Sequence, residues 1–178
     1  EAIPYKTGLL KAAFQRFIAG NHHQDAAFLS FTEQQASWLN DYALFTAVKE
    51  YHGGVAWIDW EKEISLRLGD AVQTWTEKLK DGILYVQFVQ YIFSKQWSQI
   101  KRYANSKGIR VLGDMPLFIA YDSADLWANK ELFTVNGTGK LLTVAGVPPD
   151  YFSPTGQLWG NPLYRYDVMK QDNYLWWR

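Results

Sequence analysis

The chain has 178 residues, 18 basic and 18 acidic side chains, no cysteine, and 11 Tyr, 10 Phe and 9 Trp. A zero net charge argues against a nucleic-acid partner, whose phosphates call for a basic stripe. The missing cysteines exclude a disulfide scaffold and a thiolate metal site, and they fit a reducing, cytoplasmic setting. No apolar run reaches the roughly 18 residues that a membrane span needs, the first residues read as neither a signal peptide nor a natural start, and the length suits one domain of roughly 100–200 residues. An aromatic content of 17% points first to core, and second to stacking surfaces for sugars or bases.

In chain order, Thr7 is placed to cap a helix whose apolar positions Leu9, Leu10, Ala13, Phe14 and Phe17 recur at helical spacing, with Gly20-Asn21 as its stop. Thr32-Glu33-Gln34-Gln35 has the form of a capping box. The helix it opens, with Trp38, Leu39, Tyr42, Ala43, Phe45, Ala47 and Val48, is apolar on most sides. It is therefore expected to be largely buried and to end at Gly53-Gly54. Residues 55–80 read as a connection holding one short helix, with a break at Gly69-Asp70. The strongest helix follows, capped by Asp81, filled from Ile83 to Ile100 and ended by Gly108. Ile109-Arg110-Val111-Leu112 then reads as a buried strand with Gly113-Asp114 at its carboxyl end, so helix and strand make one unit of a parallel α/β fold.

After that strand come about 60 residues with little regular structure, a length that in a compact domain is usually functional or disordered. Ser123 can cap a short helix holding Trp127 and Leu132-Phe133. Asn136-Gly137-Thr138-Gly139 is a turn between strand-like 133–135 and 141–144, so a hairpin is expected there. Val147-Pro148-Pro149-Asp150-Tyr151-Phe152-Ser153-Pro154 is a loop with prolines to stiffen it and aromatics to display.

Asp114 is the best polar candidate, since chemistry in parallel α/β folds gathers at the carboxyl ends of strands. A cap or an ion pair is its plain alternative. The segment from Asp150-Tyr151-Phe152 to Gln157-Leu158-Trp159-Gly160-Asn161-Pro162 is the best binding candidate. Flat rings with polar tips and paired amide donors and acceptors suit a sugar ring, which has an apolar face and a hydroxyl rim. The alternative is a loop pinned to the core by its aromatics. His22-His23 and His52 read as exposed helix-end residues with no carboxylate at metal-ligand spacing. Asp122 and Asp125 flank Ser123 and serve the next helix's N-terminus. Asn136-Gly137-Thr138 matches a glycosylation acceptor but is first a turn signal. With no phosphate-cradling glycine loop and no Gly-x-Ser-x-Gly elbow, no cofactor and no metal are expected.

The run 108–118 (Gly-Ile-Arg-Val-Leu-Gly-Asp-Met-Pro-Leu-Phe), the run 122–128 (Asp-Ser-Ala-Asp-Leu-Trp-Ala), and residues 144–153 with 155–164 closely resemble the 4-α-glucanotransferases, also called amylomaltases or disproportionating enzymes. Residues 38–45 and the pattern Phe88…Gln90-Tyr91…Phe93…Gln96-Trp97 are similar too. The resemblance implies a retaining transglycosylase on a (β/α)₈ barrel, cutting an α-1,4-glucan and passing the piece to another glucan or to glucose. Retaining chemistry uses two carboxyls about 5–5.5 Å apart, one a nucleophile and one an acid/base. In that family the nucleophile follows an Arg-x-Asp pattern on the barrel strand after the Gly-Asp-Met-Pro strand, and the acid/base comes later still.

The resemblance therefore implies an α/β class chain that is a partial (β/α)₈ segment. Residues 1–80 would be a helical insertion, 81–122 a barrel helix and strand, and 123–178 active-site-covering loops and a hairpin. Asp114 matches the strand-end aspartate bordering the cleavage subsite. Tyr151, Phe152, Gln157 and Trp159 match the loop that covers bound glucan, and Asn161 and Pro162 its end. No catalytic residue is carried over, so the isolated chain is expected to be inactive, and its unpaired strand and terminal tryptophans to promote self-association. Two other readings, a non-catalytic carbohydrate-binding module and a helical interaction domain, leave the Gly113-Asp114-Met115-Pro116 strand end unexplained.

Overall fold

The computed structural model describes residues 2–178, which are mostly helical with one two-stranded antiparallel sheet. In chain order the elements are α1 (Ala2–Ala19), α2 (Ala26–Gln34), α3 (Ala36–Tyr51), α4 (Lys62–Ser65), α5 (Ala71–Lys78), α6 (Lys80–Ser106), α7 (Ala124–Ala128), β1 (Val144–Val147), β2 (Gln157–Pro162) and α8 (Tyr166–Met169). The described residues form two compact units, residues 2–50 with 75–114 and residues 51–74 with 115–178. No described helix is long and apolar enough to cross a membrane.

In the first unit, α1 and α2 pack on α6 through an aromatic seam. Phe14/Phe17, Phe28/Phe31 and Phe88/Tyr91 are each three residues apart, so each pair sits on one helical face. Phe17 meets Phe88 at 4.8 Å and Phe28 at 5.1 Å, and Tyr91 meets Phe28 and Phe31 at 5.5 Å. Burying one such ring is worth about 1.5–3 kcal/mol, and edge-to-face pairing adds about 0.5–1.5 kcal/mol. Much of the aromatic content is thus core.

Helix stops match the sequence reading at Gly20-Asn21, Gly53-Gly54 and Gly108, but the caps expected at Thr7, Thr32 and Asp81 do not form. Thr7 lies inside α1, which already begins at Ala2. Pro4 falls in its first turn, where a missing N–H costs no helical bond. Thr32 lies inside α2 and its hydroxyl donates to the Leu29 carbonyl at 2.9 Å, which leaves it no role as a cap. Asp81 sits in the first turn of α6, and the cap position belongs to Leu79. On α3, Leu39, Ala43, Leu44, Phe45, Ala47 and Val48 are buried as expected, yet Trp38 and Tyr42 face outward. The 55–80 stretch holds a 3₁₀ turn at Trp57–Asp59 and the two helices α4 and α5, where one short helix was expected.

The strand expected at 109–112 does not form. The segment is irregular, with Leu112 93% exposed. A strand exists only by hydrogen bonding to a neighbour, and among the described residues no segment pairs with this one. Phe93, Trp97, Ile100 and Tyr103 leave a further exposed apolar stripe along α6.

The second unit is built around three tryptophans whose indole N–H groups each donate to a backbone carbonyl: Trp57 to Tyr121 at 2.8 Å, Trp60 to Val55 at 3.0 Å and Trp127 to Ile64 at 3.0 Å. Ser123 caps α7 as expected, accepting from the Leu126 N–H. Asn136–Gly139 is a turn flanked by the antiparallel bridge Val135↔Leu141 and by the Leu142 N–H donating to the Thr134 carbonyl at 2.9 Å, so the expected hairpin forms only as a short one. The true ladder joins β1 to β2, further along the chain. Phe133, Tyr164, Trp176 and Trp177 cluster, with centroids 4.9–6.0 Å apart, so the terminal tryptophans are half-buried rather than bare.

Gly139 has φ of 82°, and a Cβ built on it would stand 2.5 Å from the Trp57 ring, whereas one on Gly137 would meet nothing within 4 Å. Gly139→Ala is expected to cost about 1–3 kcal/mol through overpacking, with Gly137→Ala within about 0.5 kcal/mol of the parent; paired urea titrations check both.

Burial raises the phenols of Tyr85, Tyr121 and Tyr164 above their ordinary value, and the charges of Glu50, Asp59 and Tyr166 with Asp125, respectively, add to it. Above about pH 10 the unfolded chain loses these protons while the folded chain keeps them. Stability is therefore complete below that pH and is lost as pH rises through the folded-state values. Thermal melts should fall steeply above about pH 10, and less steeply in Tyr121→Phe.

Candidate functional site

β1 and β2 are the arms of a hairpin whose tip is the loop 148–156. Val147 pairs with Gln157, Gly146 with Leu158 and Val144 with Pro162, so Ala145 alone faces Trp159-Gly160-Asn161. A bulge of this kind re-aims side chains, and here it sits at Trp159. Asn161 ties β2 down by donating from its side-chain amide to the Ile119 carbonyl at 2.9 Å. Pro162 is fully buried.

The tip closes on its own hydrogen bonds. The Asp150 carboxylate accepts from the backbone N–H of Phe152 at 2.9 Å and of Ser153 at 2.8 Å, and the Asp150 N–H donates to the Ser153 carbonyl at 3.0 Å. The Ser153 hydroxyl donates to the Gly156 carbonyl at 2.7 Å, and the Gly156 N–H returns to the Ser153 carbonyl at 3.1 Å. Gly156 has φ of 73°, and a Cβ there would stand 2.5 Å from the Val147 carbonyl oxygen, so only glycine closes the loop.

On this frame Tyr151 is 95% exposed and Phe152 87% exposed, their rings 5.5 Å apart and nearly perpendicular. Trp159 is 45% exposed, lies edge-on to Phe118 at 5.8 Å, and donates its indole N–H to the Gln157 side-chain carbonyl at 3.1 Å. Gln157 is exposed and shares Trp159's face of β2, two residues away. The hairpin thus brings together four of the five expected site residues. The fifth, Asp114, is exposed and closes the first unit. An open depression of about 620 Å³ lies at the base of the loop, lined by Gln157 among others and by none of the three rings.

Sequence reasoning passed over Ser153 and Gly156 as loop-closing residues and Phe118 as the ring under Trp159; the Asp-x-x-Ser spacing was the available signal. Arg165-Tyr166-Asp167 formally has Arg-x-Asp spacing. It lies at the start of the short helix α8, with Arg165 and Asp167 3.5 Å apart and both exposed, so it is no strand-end carboxylate. His22 pairs with Asp25 at 2.9 Å and His52 with Glu61 at 2.6 Å, the His52 ring stacked on Trp60 and mostly covered. No group of three or more His, Asp or Glu residues suited to a metal occurs among the described residues.

A family model described as 4-alpha-glucanotransferase matches residues 1–178. The chain belongs to that family. It is 45% identical to a 4-alpha-glucanotransferase of Synechocystis sp. over 99% of this chain and 35% of the relative, and 43% identical to one of Aquifex aeolicus over 97% and 34%. Among solved structures it is similar to an amylomaltase from Streptococcus agalactiae in complex with acarbose, with a TM-score of 0.89 and 36% identity over 98% of this chain and 35% of that one. The chain thus spans about a third of the length of these 4-alpha-glucanotransferases.

The loop frame is directly testable. Asp150→Ala should speed hydrogen exchange at the Phe152 and Ser153 amides, which lose their acceptor at a cost of about 1 kcal/mol. Protection in α6 should be unchanged, because the lost bonds are confined to the loop.

Proposed function

We propose that this chain is the part of a 4-α-glucanotransferase that carries the glucan-covering loop, on a segment of a partial (β/α)₈ barrel, and that the whole protein transfers α-1,4-glucan pieces by a retaining mechanism. The observation that carries the reading is the exposed, nearly perpendicular Tyr151–Phe152 pair presented on a self-bonded loop. Its supports are the family membership and the likeness to an amylomaltase complexed with acarbose.

On this reading Tyr151, Phe152 and Trp159 offer faces to successive glucose rings. Gln157, its carbonyl already committed to Trp159, offers its amide N–H₂ to a sugar hydroxyl. Asp114 borders the cleavage subsite. The two carboxyls of the retaining reaction are not assigned to any residue of this chain. The loop's contribution is to fix the glucan and to displace water from the glycosyl intermediate, which favours a sugar hydroxyl as acceptor over hydrolysis. The cysteine-free sequence suits a reducing compartment, and we place the protein in the cytoplasm.

In the intact protein, Trp159→Ala should lower kcat/KM toward maltooligosaccharides by roughly 1–3 kcal/mol, while thermal stability changes by only about 0.5 kcal/mol, the scale of a surface substitution. A core anchor would reverse the order, costing about 3–5 kcal/mol of stability. A large drop in melting temperature with unchanged kcat/KM would refute the assignment. The 178-residue chain alone, incubated with maltotriose, should release neither glucose nor longer oligomers.

A further inference from the structure

A second polar cluster closes the turn at residues 136–140. The Asn136 N–H donates to the Lys140 carbonyl at 2.8 Å and the Gly139 N–H to the Asn136 carbonyl at 2.9 Å. Three donors converge on one atom, the Asn136 side-chain oxygen Oδ1: the Thr138 N–H at 3.0 Å, the Thr138 hydroxyl at 2.8 Å and the Lys140 N–H at 3.0 Å. The Gly137 N–H makes no hydrogen bond among the described residues, and Asn136, Gly137 and Thr138 are exposed. This is the sequence's one Asn-Gly pair.

We propose that Asn136 is a site of spontaneous deamidation and isoaspartate formation, and that this conversion loosens the tryptophan core of the second unit. The Gly137 backbone nitrogen, having given its proton to hydroxide, attacks Cγ of Asn136. The new N–Cγ bond closes a five-membered succinimide, and the side-chain nitrogen takes a proton from water and leaves as ammonia. Water then opens the ring at either carbonyl, giving aspartate or isoaspartate. Negative charge develops on Oδ1 in the tetrahedral intermediate, where the three donors already point, and preorganised donors at a developing oxyanion lower such a barrier. Gly137 adds no Cβ to obstruct the approach, and its N–H is free to ionise.

The consequence runs through Gly139. Its carbonyl accepts the Tyr121 hydroxyl at 2.8 Å, and its Cα lies flat against Trp57. Isoaspartate lengthens the main chain by one methylene just ahead of these contacts, so both cannot persist.

The test is ageing of the purified chain at mildly alkaline pH, read by peptide mapping and enzymatic isoaspartate methylation. The peptide holding Asn136 should gain the amide-to-acid mass shift and isoaspartate well before the peptide holding Asn105-Ser106, which lies within the helix α6. Gly137→Ala, which fits the turn without contact, should melt like the parent and strongly slow the conversion. The isoaspartate fraction, separated from the parent by its added charge and from the aspartate product by hydrophobic chromatography, should melt below both the parent and Asn136→Asp, which keeps the acceptor oxygen. Conversion at Asn105 ahead of Asn136, or equal rates in the parent and Gly137→Ala, would overturn the proposal. An isoaspartate fraction that melts like Asn136→Asp would overturn the link to the core.

Discussion

Irregular backbone can be buried only if its carbonyls find donors, and in the second unit those donors are indole N–H groups. Trp57, Trp60 and Trp127 each place a large apolar ring in the core; the first two spend their single polar atom on carbonyls of irregular segments, Tyr121 and Val55, and Trp127 spends its own on Ile64 in the short helix α4. Trp127 reaches back 63 residues to Ile64, and Trp57 forward 64 to Tyr121. Leaving the Tyr121 carbonyl unpaired would cost about 1–3 kcal/mol. With only one short sheet to organise it, this unit holds its loops in place by these bonds, and the hairpin that carries the exposed rings is tied to the same framework through Asn161 and Ile119.

The aromatics therefore divide by what their surroundings ask of them. In the first unit Phe and Tyr at helical spacing interlock edge-to-face and need no polar partner. In the second, tryptophan serves because it is the largest apolar side chain that also donates. Tyr151 and Phe152 belong to neither group, as they meet each other and little else. Trp159 is intermediate, with one edge on Phe118 and the indole N–H held by its own strand's Gln157. A ring held this way keeps its orientation while leaving a face open.

What was legible in the sequence follows the range of the forces involved. Gly20-Asn21, Gly53-Gly54 and Gly108 stop helices because a left-handed residue is a local matter of sterics, and Ser123 caps α7 because its hydroxyl has only three residues to reach. Thr7 and Thr32 misled because a capping pattern says nothing of whether apolar residues upstream extend the helix through it, as Phe28, Leu29 and Phe31 do in α2. The strand at 109–112 did not form, and the hairpin across Asn136-Gly137 stayed at one bridge, for a longer-range reason. Strand identity depends on a partner, and Val144 finds its partner at Pro162 rather than beside the turn. The ring-bearing loop was legible because proline, glycine and aromatics are concentrated there. Its closure by Asp150, Ser153 and Gly156 was hidden in ordinary-looking residues.

That closure bears on how the loop can act. Its hydrogen bonds start and end within residues 150–156, and its glycine turn packs on the Val147 carbonyl at the end of β1, so its shape is set within the hairpin. A flexible loop would have to order its rings on meeting a ligand, at about 0.5–1.5 kcal/mol for each immobilised side chain and more for the backbone. Here the backbone part is already met by two acceptor bonds to Asp150 and by a glycine turn that no other residue can take. What remains free is the rotation of Tyr151 and Phe152 about their own side-chain bonds. On the proposed reading, a surface with a fixed backbone and two adjustable rings follows a polymer of repeated apolar-faced units mainly by shape, with Gln157 adding a hydrogen bond.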